Sequence, residues 1–155
     1  MTRTIVGVIS DTHGLLRPEV KELFSGVDLI LHAGDIGTLQ VLEELGRWAP
    51  VTAVRGNNDK GEWAERIPET EVVQVGATYL YVLHDVKELN LTPAAAGFQV
   101  VISGHSHKPL LDRKDGVLYL NPGSAGPRRF NLPVSVARLH IENSTVDGEL
   151  ILISA

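Results

Sequence analysis

The chain has 155 residues, 43% of them hydrophobic and 21% charged, a length and composition suited to one domain, 1–155, with a buried core. A formal net charge of −5 opposes stable binding to a nucleic-acid backbone, and the absence of cysteine excludes disulfides and thiolate chemistry. No uninterrupted apolar run reaches membrane-spanning length, and residues 1–10 lack the pattern of a secretory signal, so a cytoplasmic protein without membrane attachment is expected.

Residues 4–9 are rich in β-branched side chains and read as a buried strand. Pro18 opens a short helix over 19–24. A second apolar strand covers 28–32, followed by a helix over 39–48 with Thr38 as its N-cap and Pro50 as its stop. Residues 51–54 make a third strand, and the alternation βαβαβ predicts a parallel sheet covered by helices. Further on, 71–75 and 78–83 read as a hairpin around Gly76, and Thr92-Pro93 starts a helical turn before a strand over 98–103. Strands are also expected over 117–120, 134–141 and 146–153, the last two turning near Asp147-Gly148. The expected class is α/β, with two packed sheets and outer helices.

At the ends of these runs stand short polar clusters: Asp11-Thr-His13, Gly34-Asp35, Gly56-Asn57-Asn58-Asp59, His84 and Gly104-His105-Ser-His107. Singly each is weak; their order makes the signal. Residues at strand ends can converge in space, and this set offers carboxylates, an amide oxygen and four imidazoles. Without thiolates, that donor set suits first-row divalent ions such as Mn²⁺, Fe²⁺, Ni²⁺ or Zn²⁺. A pair of such ions clamps the oxygens of an in-line phosphoryl displacement.

The ordered clusters resemble the calcineurin-like metallophosphoesterase superfamily, in particular its short, single-domain YfcE-type phosphodiesterase branch. The resemblance runs from Asp11 to about Gly126 and includes the loop Asn121-Pro-Gly-Ser-Ala-Gly126. It implies a two-sheet β-sandwich flanked by helices with a two-metal site on one edge. By motif, Asp11, His13 and His107 would hold one ion, Asn57, His84 and His105 the other, and Asp35 would bridge both. Manganese is the favoured pair. The resemblance further implies hydrolysis of a phosphodiester by a hydroxide bridging the metals, with Asp35, Asn57 and His105 as the catalytic set. The alternative on the same fold is a protein-interaction scaffold of the Vps29 type, which a filled ligand set disfavours. The sequence carries no signature of an oligomeric state.

Two positions depart from the family pattern. Many larger relatives carry a histidine where this chain has Asn58, though the short branch often lacks it too, so the change does not imply a dead enzyme; an amide donates a hydrogen bond but does not titrate near neutrality, which predicts a preference for good leaving groups. Where glycine usually follows the fourth motif's histidine, this chain has Asp85. It reads preferentially as the N-cap of the next helix, with an extra carboxylate near the second metal as the alternative.

Around the motifs, His32 reads as a packed strand-end residue or a partner to a ligand. Asp59 fixes its turn or orients a ligand, and His140 is structural or exposed. Arg128 and Arg129 follow the 121–126 loop. They read as a surface pair, or as a phosphate clamp if that loop lines the cleft, and with Asn58 they are the candidate substrate contacts. Arg55 and Lys60 carry the same two readings. Trp48 and Trp63 read as core, and with 5% aromatics there is no stacking platform for single-stranded nucleic acid.

Overall fold

In chain order the elements of the computed structural model are β1 (Arg3–Ile9), α1 (Glu19–Leu23), β2 (Leu29–His32), α2 (Leu39–Gly46), β3 (Val51–Ala53), α3 (Glu62–Glu65), β4 (Thr70–Val75) and β5 (Thr78–Leu83). There follow a 3-10 turn (Val86–Glu88), α4 (Pro93–Ala96), β6 (Val100–Ile102), β7 (Leu110–Lys114), β8 (Val117–Asn121), β9 (Val134–Glu142) and β10 (Thr145–Ile153). The structure describes residues 3–129 and 131–153; the chain ends expected as domain limits lie outside them.

These strands form two five-stranded mixed sheets, ordered β10-β9-β1-β2-β3 and β4-β5-β6-β8-β7. The βαβαβ half becomes parallel β1-β2-β3, extended by the antiparallel hairpin β9-β10. The second sheet repeats the theme: β5, β6 and β8 run parallel, and β4 and β7 close its two edges antiparallel.

Period-two alternation sends opposite faces of each strand to different cores. Val6, Val8 and Leu31 face Leu80, Val82, Val100, Ile102, Leu118 and Leu120 across the sandwich, where all are buried. Ile9 and Ile30 point the other way and pack with Phe24, Val41 and Leu45 of the helical layer. Trp48 and Trp63 also rest on this second core, as expected for core aromatics.

Three differences from the sequence reading have local causes. The β9-β10 turn lies at Asn143-Ser144, because Glu142 pairs with Thr145; Asp147 and Gly148 sit inside the ladder opposite His140 and Leu139. Gly148 serves close packing instead, since a Cβ there would come within 2.8 Å of Leu111 Cδ1 on the neighbouring sheet's edge. Strand β7 was not expected, being exposed along its whole length and so without alternation. Its signal was the Asp115-Gly116 pair, both residues at positive φ (53° and 78°), between paired Lys114 and Val117. Helix α2 stops at Gly46, short of Trp48.

Candidate metal centre

All six parallel strands point their C-terminal ends toward one edge of the sandwich, where α/β sheets present ligand-binding loops. Asp11 and His13 follow β1, Asp35 follows β2, Asn57 to Asp59 follow β3, His84 follows β5, and His105 and His107 follow β6. The loop after β8, residues 121–126, braces this edge from behind. Ser124 Oγ donates to Asp11 O (3.1 Å), and Asn121 Nδ2 donates to Gly104 O (2.9 Å) and Ser106 Oγ (3.1 Å).

The backbone is held in costly conformations here. Seven non-glycine residues among those described have positive φ, and five are Asp11, His13, Asp35, His105 and His107. Such strain persists only where surrounding structure over-determines it, and it gathers at functional sites. Part of that determination is Asp59, 5% exposed, whose carboxylate accepts the N–H groups of Ile36 (3.1 Å), Gly37 (3.0 Å) and Gly56 (2.9 Å). Asp59 thus fixes its own turn and locks it to the Asp35 loop. His32, fully buried, does the same between the first two loops. Its Nδ1 accepts from Gly34 N–H (3.1 Å), so its Nε2–H donates to Thr12 Oγ1 (3.0 Å), which donates to Ile36 O (2.8 Å).

The candidate ligand atoms fall into two groups. In the first, Asp11 Oδ1 lies 3.4 Å from His107 Nε2 and 3.8 Å from His13 Nε2. In the second, His84 Nε2 lies 3.3 Å from Asp35 Oδ2 and 3.3 Å from His105 Nδ1, and that nitrogen is 3.2 Å from Asn57 Oδ1. Asp35 joins the groups, its Oδ2 also standing 3.8 Å from His13 Nε2. Donors spaced this way can share an ion at about 2.0–2.2 Å from each. Two atoms of the first group, Asp11 Oδ1 and His13 Nε2, are buried without a hydrogen-bond partner, a costly state that a cation would relieve.

Neighbouring bonds aim the ligands. Asp11 Oδ2 accepts from Ser10 Oγ (2.7 Å) and from His105 N (3.1 Å), leaving Oδ1 for the site. His84 Nδ1 donates to Ala33 O (2.8 Å), which directs Nε2 inward. Asn58 holds Asp35 twice, through its backbone N–H (2.9 Å) and its side-chain amide (3.1 Å).

Charge follows the same geometry. Burial alone would raise the Asp35 carboxyl, but the bond from His84, the Asn58 N–H and the nearby imidazoles outweigh it and hold it well below the usual range. Asp11 is lowered likewise, burial being overcome by His107, Ser10 and His84. Burial works against the charged form of His84, yet Asp35 and Asp11 prevail and raise it to about 8. Without a cation, the proton on His84 therefore neutralises part of the paired carboxylates.

A cleft of about 470 Å³ opens beside the second group, with Asn57, His84 and His105 in its wall. Arg55, Glu69, Tyr81, Asp85, Glu88 and Asn90 complete much of its lining. Arg55 pairs with Glu69 at 2.9 Å. Arg128 and Arg129 are exposed beyond the 121–126 loop and do not line this cleft; Lys60 is exposed. His140 bonds Arg3 (2.6 Å) and Glu149 (3.2 Å), remote from the site in β9. Of the residues that build the centre, the sequence reading missed Ser10, whose only signal is a small polar side chain before the first aspartate. It also missed the cleft-lining Tyr81, Glu88 and Asn90, which carry no local pattern.

The profile of the Calcineurin-like phosphoesterase superfamily domain matches residues 5–144. A probable metallophosphoesterase of Methanothermobacter thermautotrophicus is 39% identical, over 95% of this chain and 91% of the relative. The solved structure of an archaeal phosphodiesterase superposes with a TM-score of 0.81 at 25% identity, over 97% of this chain and 100% of that one. Vps29 of Entamoeba histolytica, solved with Zn²⁺, has a TM-score of 0.74 at 25% identity, over 96% of this chain and 99% of that one. With the fold, the edge site and a match spanning most of its length, the chain belongs to the calcineurin-like phosphoesterase superfamily.

Proposed function

We propose that this protein is a metal-dependent phosphodiesterase, acting as one domain in the cytoplasm, with two divalent ions, manganese by preference, on the sheet edge. Asp11, His13 and His107 would hold one ion, Asn57, His84 and His105 the other, and Asp35 both. The observation that carries this reading is the placement of Asp35 Oδ2 between two imidazole-bearing groups, 3.3 Å from one and 3.8 Å from the other. The phosphodiesterase named among the relatives supports the reaction class.

When bound, such a pair of ions acidifies a water and neutralises charge on phosphoryl oxygens. The chain supplies the rest. Asn58 fixes the shared carboxylate, Ala33 fixes the tautomer of His84, and the cleft beside His105 takes a group esterified to phosphorus. No nucleophilic side chain is needed. The alternative is a protein-interaction scaffold of the Vps29 type; because a Vps29 of this fold is itself solved with Zn²⁺, turnover rather than metal binding separates the two readings.

The test is hydrolysis of bis(p-nitrophenyl) phosphate and of its monoester by metal-stripped protein re-supplied with Mn²⁺. Diester turnover that returns with metal is expected, and Asp35→Asn should lose it by a factor of about 10³ or more while binding metal more weakly. No turnover by protein that holds two ions, or a fully active Asp35→Asn, would refute the proposal.

A further inference from the structure

We infer that Asp85 is a positioning residue that holds His105 in its metal-facing orientation, a role in which it replaces a glycine of the family pattern. The inference rests on the metal-binding reading above and extends it to a residue outside the ligand set.

The imidazole of His105 is turned toward the second group, its Nδ1 3.2 Å from Asn57 Oδ1 and 3.3 Å from His84 Nε2. A neutral ring that offers a lone pair at Nδ1 carries its proton at Nε2. That nitrogen points away from the group and stands 3.8 Å from Asp85 Oδ2. His105 is the most exposed histidine of the two groups, its side chain 45% accessible, so packing alone does not hold the ring. Ligating imidazoles are commonly oriented by a carboxylate on the far nitrogen, which also raises their basicity.

Asp85 is itself fixed. It is the N-cap of the 3-10 turn, with Oδ1 accepting from Lys87 N at 3.1 Å. One oxygen therefore caps, as the N-cap reading expected, and the other faces His105. The neighbouring strand ends are tied as well, by Gly104 N donating to His84 O at 2.8 Å. His84 and Asp85 thus form a consecutive pair, the first a ligand and the second the support of a ligand from the next loop.

The distinguishing variant is Asp85→Asn. Its amide oxygen can still accept from Lys87 N and keep the cap. Its NH₂ would then face the Nε2–H of His105, donor against donor. Mn²⁺ binding to the full metal-stripped chain, followed by calorimetry, reads the two ions separately. The expected result is a second ion weakened about tenfold or more, a first ion unchanged, and an unaltered unfolding midpoint of the metal-free protein. Asp85→Ala, which loses both contacts, should weaken the second ion and lower the midpoint.

Wild-type affinity for both ions in Asp85→Asn would overturn the inference. So would equal weakening of both ions together with the midpoint drop of Asp85→Ala, which would assign Asp85 to folding alone. Failure of the underlying reading looks different: the wild-type chain itself would then bind no second ion.

Discussion

At the scale of single residues, the consequential position is Asn58. Its amide is spent on Asp35, bonding Oδ2 at 3.1 Å while the backbone N–H bonds Oδ1 at 2.9 Å. It orients a carboxylate and has no proton to give a departing alkoxide near neutral pH. The rate should therefore fall steeply as the leaving group becomes more basic. A series of aryl phosphodiesters spanning several units of leaving-group pKa measures this; a rate indifferent to that pKa would show that another group protonates the leaving oxygen. Much of the candidate site was legible at this scale, because Asp11, His13, Asp35, Asn57, His84, His105 and His107 all lie in the short loops that follow apolar runs that become strands. What stayed hidden is the use of each atom. Nothing in the string shows that Asp59 accepts three N–H bonds, or that one oxygen of Asp11 is taken by Ser10 and a backbone N–H.

At the scale of elements, the site depends on how closely two loops from different sheets approach. Gly104, after β6, lies so near the β1 loop that an added Cβ would stand 2.0 Å from Ser10 Oγ and 2.6 Å from Asp11 Oδ2. Those atoms are fixed by the 2.7 Å bond between them and cannot yield cheaply. Gly104→Ala should thus push the loops apart, cost about 1–3 kcal/mol of stability by overpacking, and reduce metal-dependent turnover by about 100-fold or more. Urea unfolding and the Mn²⁺-supported diester assay check both parts, and near-wild-type values in both would show that the loops can separate freely. Element legibility followed the same physics. Strands β1 and β2 were readable because burial on both faces makes them nearly continuous apolar runs, and the half-buried edge strand β3 because it completes their β-α alternation. Strand β7 left no such trace because it is an exposed edge, and the β9-β10 turn was misplaced because Gly148 answers to a leucine on the opposite sheet.

At the scale of the whole molecule, the edge where both parallel triplets end gathers buried polar groups whose protonation must influence global stability. His32 is the clearest, fully buried between the two cores' strand ends, and burial lowers its pKa from 6.5 to about 4 despite the nearby carboxylates. In the unfolded chain the ring takes its proton near the ordinary value, while the folded chain resists until about pH 4. The contribution is thus complete above about pH 6.5 and is lost as pH falls toward 4, by about 3 kcal/mol in all and about 2 kcal/mol by pH 5. His84 acts in the opposite sense. Its pKa is raised to about 8, so its stabilisation is full below about 6.5 and lost as pH rises through 8. The two are separated by comparing metal-free wild type with His32→Gln, which keeps a donor for Thr12 but cannot titrate. Urea unfolding at pH 7 and pH 5 should show wild type losing about 2 kcal/mol more than the variant between the two conditions. Parallel losses would mean that His32 is charged in the folded protein, and that the Gly34–His32–Thr12 bonds do not hold the neutral tautomer drawn from their geometry.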